Sequence, residues 1–301
     1  MSLKILNLLV ITFLFLSCST KKEETQDIKT SIQEKLNIEN INANHPNFDT
    51  LDVLYGKDYV DFSYQFLQTS KFKRHLNTMG LIIDPSNDEY IRRYSYSYKK
   101  AGEHQKAMQI LQLAIDNASS KDELLGHLGY SAWNCLHFYR DYENTIRTVD
   151  EILKLTENDY GYACHGDPCL LTKGQALYKL GEYNKALKAF SKLQAYQESE
   201  GFDSMGNFLV VFYKARCLAE IKEFEEAISY FSHLIKDHPN AEASYQLAKI
   251  YMETEQIKQA QKQIALAEAA LQKGFSFKEP YFERFDKVFQ YQIDELKERM
   301  R

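Results

Sequence analysis

Residues 178–186 read YKLGEYNKA, and this stretch decides the fold because variants of it recur along the chain. The variants are YKKAGEHQKA at 98–107, FYRDYENT at 138–145, IKEFEEA at 221–227 and EQIKQA at 255–260. Self-similarity at intervals of several tens of residues is typical of proteins that stack one supersecondary unit many times. The sequence therefore predicts a repeat protein.

The five segments stay in register at two further sets of positions. A small residue follows each turn, at Ala107, Thr145, Ala186, Ala227 and Ala260. Four residues later come larger apolar side chains, namely Leu111, Val149, Phe190, Phe231 and Ile264. Residues four apart lie on one helix face, so the small side chain lets two helices approach and the large one fills the space beside them. The pattern predicts pairs of closely packed α-helices.

In these segments the sequence resembles the tetratricopeptide (TPR) repeat, in which helix A ends, a tight turn follows, and helix B opens with an aromatic and then a small residue. The resemblance covers residues 87–272 and implies an all-α fold, a right-handed α-solenoid of TPR-like helix pairs. Residues 46–86 have helical spacing around Ser70 and look like a degenerate N-terminal helical cap. An apolar stripe over 280–300 predicts a capping helix within 273–301, which would cover the end of the stack.

Composition narrows the class of protein. The 301 residues are 44% hydrophobic and 26% charged, which is ordinary for a globular chain, and only 12 glycines and 5 prolines argue against a turn-rich all-β fold. A net charge of -5 gives no general attraction to nucleic acid. The sequence contains no nucleophile elbow, zinc-protease helix, phosphate-binding loop or dinucleotide fingerprint. We therefore predict a protein that is not an enzyme, uses no cofactor or metal and binds no nucleic acid.

The N-terminal residues have the pattern expected of a targeting signal. Lys4 precedes an apolar run over residues 5–16, which is too short to cross a bilayer because a spanning helix needs about 20 residues. The run ends in FLSC at 15–18, which resembles the lipobox of bacterial lipoproteins. The resemblance implies a signal peptide over 1–17 that is removed, and lipidation of Cys18, where more than one acyl chain gives stable membrane anchoring.

A charged stretch follows the lipidated cysteine. Residues 18–45 begin with STKKEE after Cys18 and read as a flexible tether. Lys22, Glu23 and Glu24 look like the surface-export signal of Bacteroidetes lipoproteins, although a charged run beside a lipid anchor also serves as a solvated spacer. The sequence predicts an outer-membrane lipoprotein of a bacterial cell envelope, on either the periplasmic face or the cell surface.

The segment CHGDPC at 164–169 has three interpretations. It can be a structural loop with or without a Cys164–Cys169 disulfide, a loop that contacts a partner, or a metal site. Cys164 and His165 are adjacent and poorly placed to bind one ion, and the second half of the usual zinc pattern is missing. Cys135 and Cys217 occupy equivalent helix A positions and are interpreted as small core residues.

The predicted contact surface is the helix A face that lines the concave side of a TPR stack. It carries Arg92, Tyr96, Tyr130, Asn134, His137, Gln175, Tyr178, Phe212, Arg216, Tyr245 and Lys249. Aromatic rings with amide and basic groups suit the binding of a protein or an extended peptide. The lysines that complete the carboxylate clamp of some TPR proteins are replaced by Tyr130 and Phe212, which argues against recognition of a terminal carboxylate.

The leading hypothesis is a membrane-anchored scaffold that binds another protein or peptide through this concave face. One alternative is an immunity-type inhibitor lipoprotein that binds an envelope-acting toxin. A second alternative is a metal-dependent enzyme centred on Cys164 and Cys169.

Overall fold

The structure is a computed structural model that describes residues 56–84, 87–203, 207–236, 238–279, 282–284 and 286–300. Cys18 and the charged residues 22–24 lie outside this range. Within it, the secondary structure is helical apart from one two-stranded hairpin, which confirms the all-α prediction. None of the helices described is both long and apolar enough to cross a bilayer. The chain divides into two compact units at Leu124 and Leu125.

The first unit contains two helix pairs in its described part. The helices are α1 (Gly56–Ser63), α2 (Lys71–Ile83), α3 (Asp88–Lys100) and α4 (His104–Asp116). Ser70 caps α2, because its side-chain oxygen accepts a hydrogen bond of 3.1 Å from the backbone N–H of Phe72. The first pair packs at two glycines, since a Cβ added to Gly56 would lie 2.9 Å from the carbonyl oxygen of Gly80.

The second unit is also built from helix pairs. Its helices are α5 (Lys121–Asn134, most of which belongs to this unit), α6 (Tyr142–Leu155), α7 (Cys169–Lys179), α8 (Tyr183–Ser199), α9 (Phe208–Glu220), α10 (Phe224–Lys236), α11 (Ala241–Glu253), α12 (Ile257–Gln272) and α13 (Gln290–Glu298). An antiparallel hairpin of β1 (Ala163–Cys164) and β2 (Asp167–Pro168) connects α6 to α7. Each of α7, α9 and α11 packs against the helix that follows it.

The turns within the five predicted pairs share one backbone geometry. Two residues before each second helix, the chain adopts a positive φ, at Gly102 (81°), Arg140 (56°), Gly181 (77°), Lys222 (68°) and Glu255 (58°). Glycine adopts this left-handed conformation without steric strain, whereas other residues do so at a cost of roughly 1–2 kcal/mol. The three pairs with Arg140, Lys222 and Glu255 at this position therefore keep the same turn although their sequences lack the glycine.

Burial confirms the predicted register of small and large residues. The five small residues after the turns are at most 2% exposed, and the larger residues four positions later are at most 3% exposed. The contact between α7 and α8 shows why size matters at these positions. A Cβ on Gly174 would lie 2.3 Å from the ring of Phe190, so the ring fills the space that glycine leaves.

The second of these five pairs is irregular at the end of its first helix. After Asn134 the helix widens into a π-helical turn over Cys135–Tyr139, and the chain then enters α6. Arg140, in the left-handed conformation, ends this turn. This turn carries His137, one of the predicted contact residues.

The C-terminal segment differs from the prediction. The helix α13 begins only at Gln290, so the expectation of a helix from residue 280 is wrong for the described residues before it. The described residues of 275–289, which we call the C-terminal loop, lie outside helices. After the loop, Val288, Ile293 and Leu296 join a buried cluster with residues of α11 and α12. The segment thus covers the end of the last pair, but with a shorter helix than the apolar stripe suggested.

Candidate partner-binding face

Neighbouring first helices of the second unit form a continuous surface. The π-helical turn contacts α7, α7 contacts α9, and α9 contacts α11. This surface, the first-helix face, carries the predicted contact residues Tyr130, Asn134, His137, Gln175, Tyr178, Phe212, Arg216, Tyr245 and Lys249. The expectation that it is open is wrong for most of these residues. Tyr130, Asn134, His137, Gln175 and Phe212 are at most 3% exposed.

Glu242, a fully buried residue in the first turn of α11, binds the C-terminal loop near both of its ends. One carboxylate oxygen of Glu242 accepts hydrogen bonds from the Ser276 hydroxyl at 2.6 Å and from the backbone N–H groups of Phe277 at 3.0 Å and Val288 at 3.3 Å. A single side chain thus joins the two ends of the loop.

An aromatic cage receives the ring of Phe282. Its centroid lies 4.0 Å from that of His137, in a stacked arrangement, and 5.4 Å from that of Trp133. The ring centroid of Phe138 lies 6.2 Å from that of Phe282. Nearby, Arg140 donates a hydrogen bond of 3.0 Å to the backbone carbonyl of Glu283. The end of α5 and its π-helical turn therefore bind both a side chain and the backbone of the loop.

The hairpin between α6 and α7 supports this cage. Its Cys164 and Cys169 form a disulfide, and the ring of His165 lies 4.8 Å from Trp133 and 4.9 Å from Tyr130. A disulfide has no thiolate to donate to a metal, which removes the proposed centre of the metal-enzyme alternative. Within the described residues, no group of three or more His, Cys, Asp and Glu side chains is arranged to hold a metal ion.

Phe277 fills the central part of the first-helix face. Its ring centroid lies 5.1 Å from that of Phe212 and 5.9 Å from that of Phe208, both in edge-to-face geometry. On its other side Phe212 contacts Phe231 of α10 at 5.7 Å. Phe212 is therefore a core residue that contacts the loop on one side and the second helix on the other, rather than an exposed contact.

A charged group lies beside these rings. Arg216 of α9 forms an ion pair of 3.3 Å with Asp286 of the loop and one of 3.8 Å with Glu220. Burial disfavours the cation, but Tyr178 and Asp286 outweigh this effect and raise the pKa of Arg216 above its usual value. The Tyr178 hydroxyl accepts a hydrogen bond from Arg216 and donates one of 3.2 Å to Glu220. The arginine is thus fixed in place and binds an internal carboxylate.

The α11 end of the first-helix face remains partly accessible. Tyr245 is half-buried against the α13 cluster, and Lys249 is exposed. Although the side chain reaches solvent, the protein atoms around its ammonium group and the neighbouring Arg216 lower the pKa of Lys249. This end presents a basic and an aromatic group to solvent beside the C-terminal loop.

The remaining two predicted residues lie on α3 in the first unit. Arg92 is ion-paired with Glu89 of the same helix. The half-buried ring of Tyr96 has the ammonium groups of Lys99 and Lys100 at 5.0 and 5.4 Å from its centroid. Tyr96 thus lies beside one buried lysine, Lys99, and one partly exposed lysine, Lys100.

Four residues that organise this site were absent from the prediction, namely Phe277, Phe282, Asp286 and Glu242. Phe282 falls within the apolar stripe over 280–300, which predicted a capping helix and no contact with the first helices. The density of aromatic residues over 275–289 was the available signal, since a solvated loop has no need for so many rings. Glu242 gave no signal, because an acid in the first turn of a helix is normally explained by the helix dipole.

Comparison with known proteins supports the repeat assignment. The tetratricopeptide-repeat family models match residues 168–199 and 210–241, which correspond to the α7–α8 pair and to α9 and α10 with the start of α11. The chain therefore carries TPR repeats, and its fold is that of an all-α TPR solenoid. No curated protein sequence matches.

Several solved structures share this fold at low sequence identity. PilW, a widely conserved type IV pilus biogenesis factor, has a TM-score of 0.55 at 14% identity, over 72% of this chain and 94% of PilW. PilF of Pseudomonas aeruginosa has a TM-score of 0.54 at 15% identity, over 81% of this chain and 97% of PilF. The APC/C hetero-tetramer Cut9-Hcn1 has a TM-score of 0.53 at 12% identity, over 94% of this chain and 46% of the other. At such identity the likeness shows the fold alone.

Proposed function

We propose that this protein is a non-enzymatic, lipid-anchored TPR scaffold that binds another protein or peptide at a bacterial cell envelope through its first-helix face. TPR pairs are suited to protein–protein interaction, which is the part of this function that the repeats themselves support. The observation that carries the proposal is that the first-helix face already holds a non-helical stretch of polypeptide, through Phe277, Phe282 and Asp286.

The anchor in this proposal is Cys18, with residues 18–45 as the tether. The FLSC segment and the short apolar run before it support lipidation, and two or more acyl chains would hold the protein stably at the membrane. The export signal at Lys22, Glu23 and Glu24 supports display on the outer leaflet, and the periplasmic face is the alternative location. In either location the repeats would be presented to soluble or membrane-bound partners.

The binding surface is tested by comparing variants of the full-length lipoprotein in a capture experiment. Partners are crosslinked in intact cells, purified from detergent-solubilised envelopes and identified by mass spectrometry. Arg216→Ala and Lys249→Ala change the first-helix face, and Lys188→Ala is the matched control on the exposed side of α8. Loss of one central contact commonly weakens binding by about 2 kcal/mol, or roughly thirtyfold.

We expect the identified partner to bind the Lys188→Ala protein like the wild type and the two first-helix variants at least tenfold more weakly. Circular dichroism establishes that each variant is folded. Binding that is unchanged in both folded first-helix variants would show that the partner uses another surface, and the proposal would then be wrong.

A further inference from the structure

The contacts of the C-terminal loop are of the kind that a peptide ligand makes. Two rings, Phe277 and Phe282, pack against aromatic residues of the first helices, and the carboxylate of Asp286 pairs with Arg216. The loop backbone is also contacted. Glu242 accepts a hydrogen bond from the Phe277 N–H, and Arg140 donates one to the Glu283 carbonyl. Side-chain pockets combined with main-chain hydrogen bonds are the general basis for recognising extended segments.

The loop also differs from ordinary core. Phe282 is only half-buried within its cage, Glu283 is exposed, and Phe275 is 49% exposed. The described loop residues form no helix or strand, so the docked state depends on contacts with the first-helix face and on Glu242. Segments with few internal hydrogen bonds and partial exposure open at lower free energy than packed helices.

Both ends of the loop are fixed independently of its central part. Before it, Gly274 ends α12 with φ of 76°. After it, Ile293 and Leu296 hold α13 against α11 and α12. The loop, including Phe277, can therefore leave the first-helix face and Glu242 while the helices on either side remain folded.

We propose that the first-helix face is a receptor for an extended segment with the pattern aromatic-x4-aromatic-x3-acid, and that the C-terminal loop is its internal ligand. This inference rests on the proposed function and specifies the partner. The partner supplies a segment whose rings take the positions of Phe277 and Phe282 and whose carboxylate replaces Asp286 at Arg216. Binding displaces the loop.

Because the C-terminal loop occupies the first-helix face, a partner must compete with it. A ligand tethered by a short flexible connection acts at an effective concentration on the order of mM. If the face is open in about 1% of molecules, an external segment binds roughly 100-fold more weakly than it would to an open face. The loop would thus suppress weak, unspecific segments and admit only a partner that makes the full set of contacts.

The experiment uses a fluorescent synthetic peptide with the sequence of residues 275–289, FSFKEPYFERFDKVF. It is titrated against the full-length chain in detergent and against a full-length variant in which Phe282→Ala and Asp286→Asn weaken the internal ligand. We expect the variant to bind the peptide at least tenfold more tightly than the unmodified chain. A control peptide carrying the same two substitutions tests specificity without altering the protein, and we expect it to bind at least tenfold more weakly than the parent peptide.

Trp133 provides a second readout, because it is the only tryptophan of the chain and lies in the cage of Phe282. The Phe282→Ala, Asp286→Asn variant should change the Trp133 emission, and saturation with the parent peptide should restore it. A folded variant that binds neither peptide, or both equally, would overturn the inference.

Hydrogen exchange of the unmodified chain covers the case in which the variant does not fold. We expect the Phe277 amide to exchange at least tenfold faster than the Phe212 amide of α9, after correction for intrinsic rates. Equal protection would show that the loop opens only with the whole unit, and the inference would be wrong. The captured partner could need the first-helix face and yet contain no segment with the aromatic-x4-aromatic-x3-acid pattern. That result would reject this inference and leave the proposed function standing.

Discussion

Arg216 of α9 and Asp286 of the C-terminal loop form an ion pair of 3.3 Å in which the two side chains are only 11% and 6% exposed. The pair links a repeat helix to a segment 70 residues further along the chain. Because both groups are largely removed from water, each depends on the other for its charge balance. This pair is the main electrostatic contact between the first-helix face and the loop.

Replacing Asp286 with alanine should therefore destabilise the second unit. Removing one partner of a buried pair typically costs 3–5 kcal/mol. We expect about 2 kcal/mol here, because Glu220 still lies 3.8 Å from Arg216. Urea unfolding followed by Trp133 fluorescence measures the change. The control is Glu253→Ala, which breaks the exposed Lys222–Glu253 pair and should cost less than about 1 kcal/mol. An equal loss of unfolding free energy in the two variants would contradict this prediction.

Substitutions at Gly181, in a left-handed turn, and at Gly126, within a helix, should have opposite effects on stability. Gly181→Ala should destabilise the protein by about 1 kcal/mol, because φ is 77° and the cost is backbone strain alone, with no atom within 4 Å of the added Cβ. Gly126→Ala, on the exposed side of α5 with equally free space, should stabilise by roughly 0.5–1 kcal/mol. Thermal unfolding of both variants tests the pair, and a shift in the same direction for both would be the contrary result.

The disulfide between Cys164 and Cys169 should contribute to stability and to the shape of the Phe282 cage. Closing a loop with a sequence separation of 5 predicts a stabilisation of about 2 kcal/mol from chain entropy. Reduction should lower the free energy of unfolding by that amount and change the Trp133 emission through His165. The Cys164→Ala, Cys169→Ala variant is the control, since reductant should have no effect on it. If reduction leaves the unmodified protein unchanged, the hairpin does not depend on the bond.

Lys99 should make the stability of the first unit depend on pH. Lys99 is only 3% exposed. This burial, with a smaller contribution from Lys100, lowers the pKa of Lys99 from 10.5 to about 7. Between these values the unfolded chain binds a proton that the folded chain lacks. The free energy of unfolding therefore rises with pH across this window, by up to about 1.4 kcal/mol per pH unit.

The substitution Lys99→Met should remove that slope. Urea unfolding at pH 7, 8 and 9, followed by circular dichroism, compares it with Lys121→Met, which changes an exposed lysine and should keep the slope of the wild type. A wild-type protein whose stability falls between pH 7 and 9 would contradict the prediction, because the sign of the Lys99 effect would then be wrong.

Cys18→Ser should leave an unprocessed precursor without lipid. Metabolic labelling with a fatty acid measures this, and label on the variant would refute the assignment of Cys18. If the wild type is accessible to protease on intact cells, replacement of Lys22, Glu23 and Glu24 with alanine should abolish that accessibility. A wild type that is shielded from protease would place the protein on the periplasmic face and exclude the export signal.

The sequence by itself determined the helix pairs, because the features that build them are local. The small residue after each turn, such as Ala186, and the larger residue four positions later, such as Phe190, are close in the chain and share one helix face. Their recurrence identified five pairs and their register before any tertiary contact was known. The same locality made the FLSC segment readable as a candidate lipidation site.

Only the tertiary structure decided what covers the first-helix face. The rings of the C-terminal loop were predicted to form a helical stripe, since spacing along the chain cannot distinguish a helix from a loop that packs on distant helices. Phe282 lies against His137, and Glu242 binds both Phe277 and Val288, through contacts between residues far apart in sequence. No local pattern encodes these contacts, because the hydrogen bonds and ring packing that hold the loop exist only once the repeats have brought their first helices together.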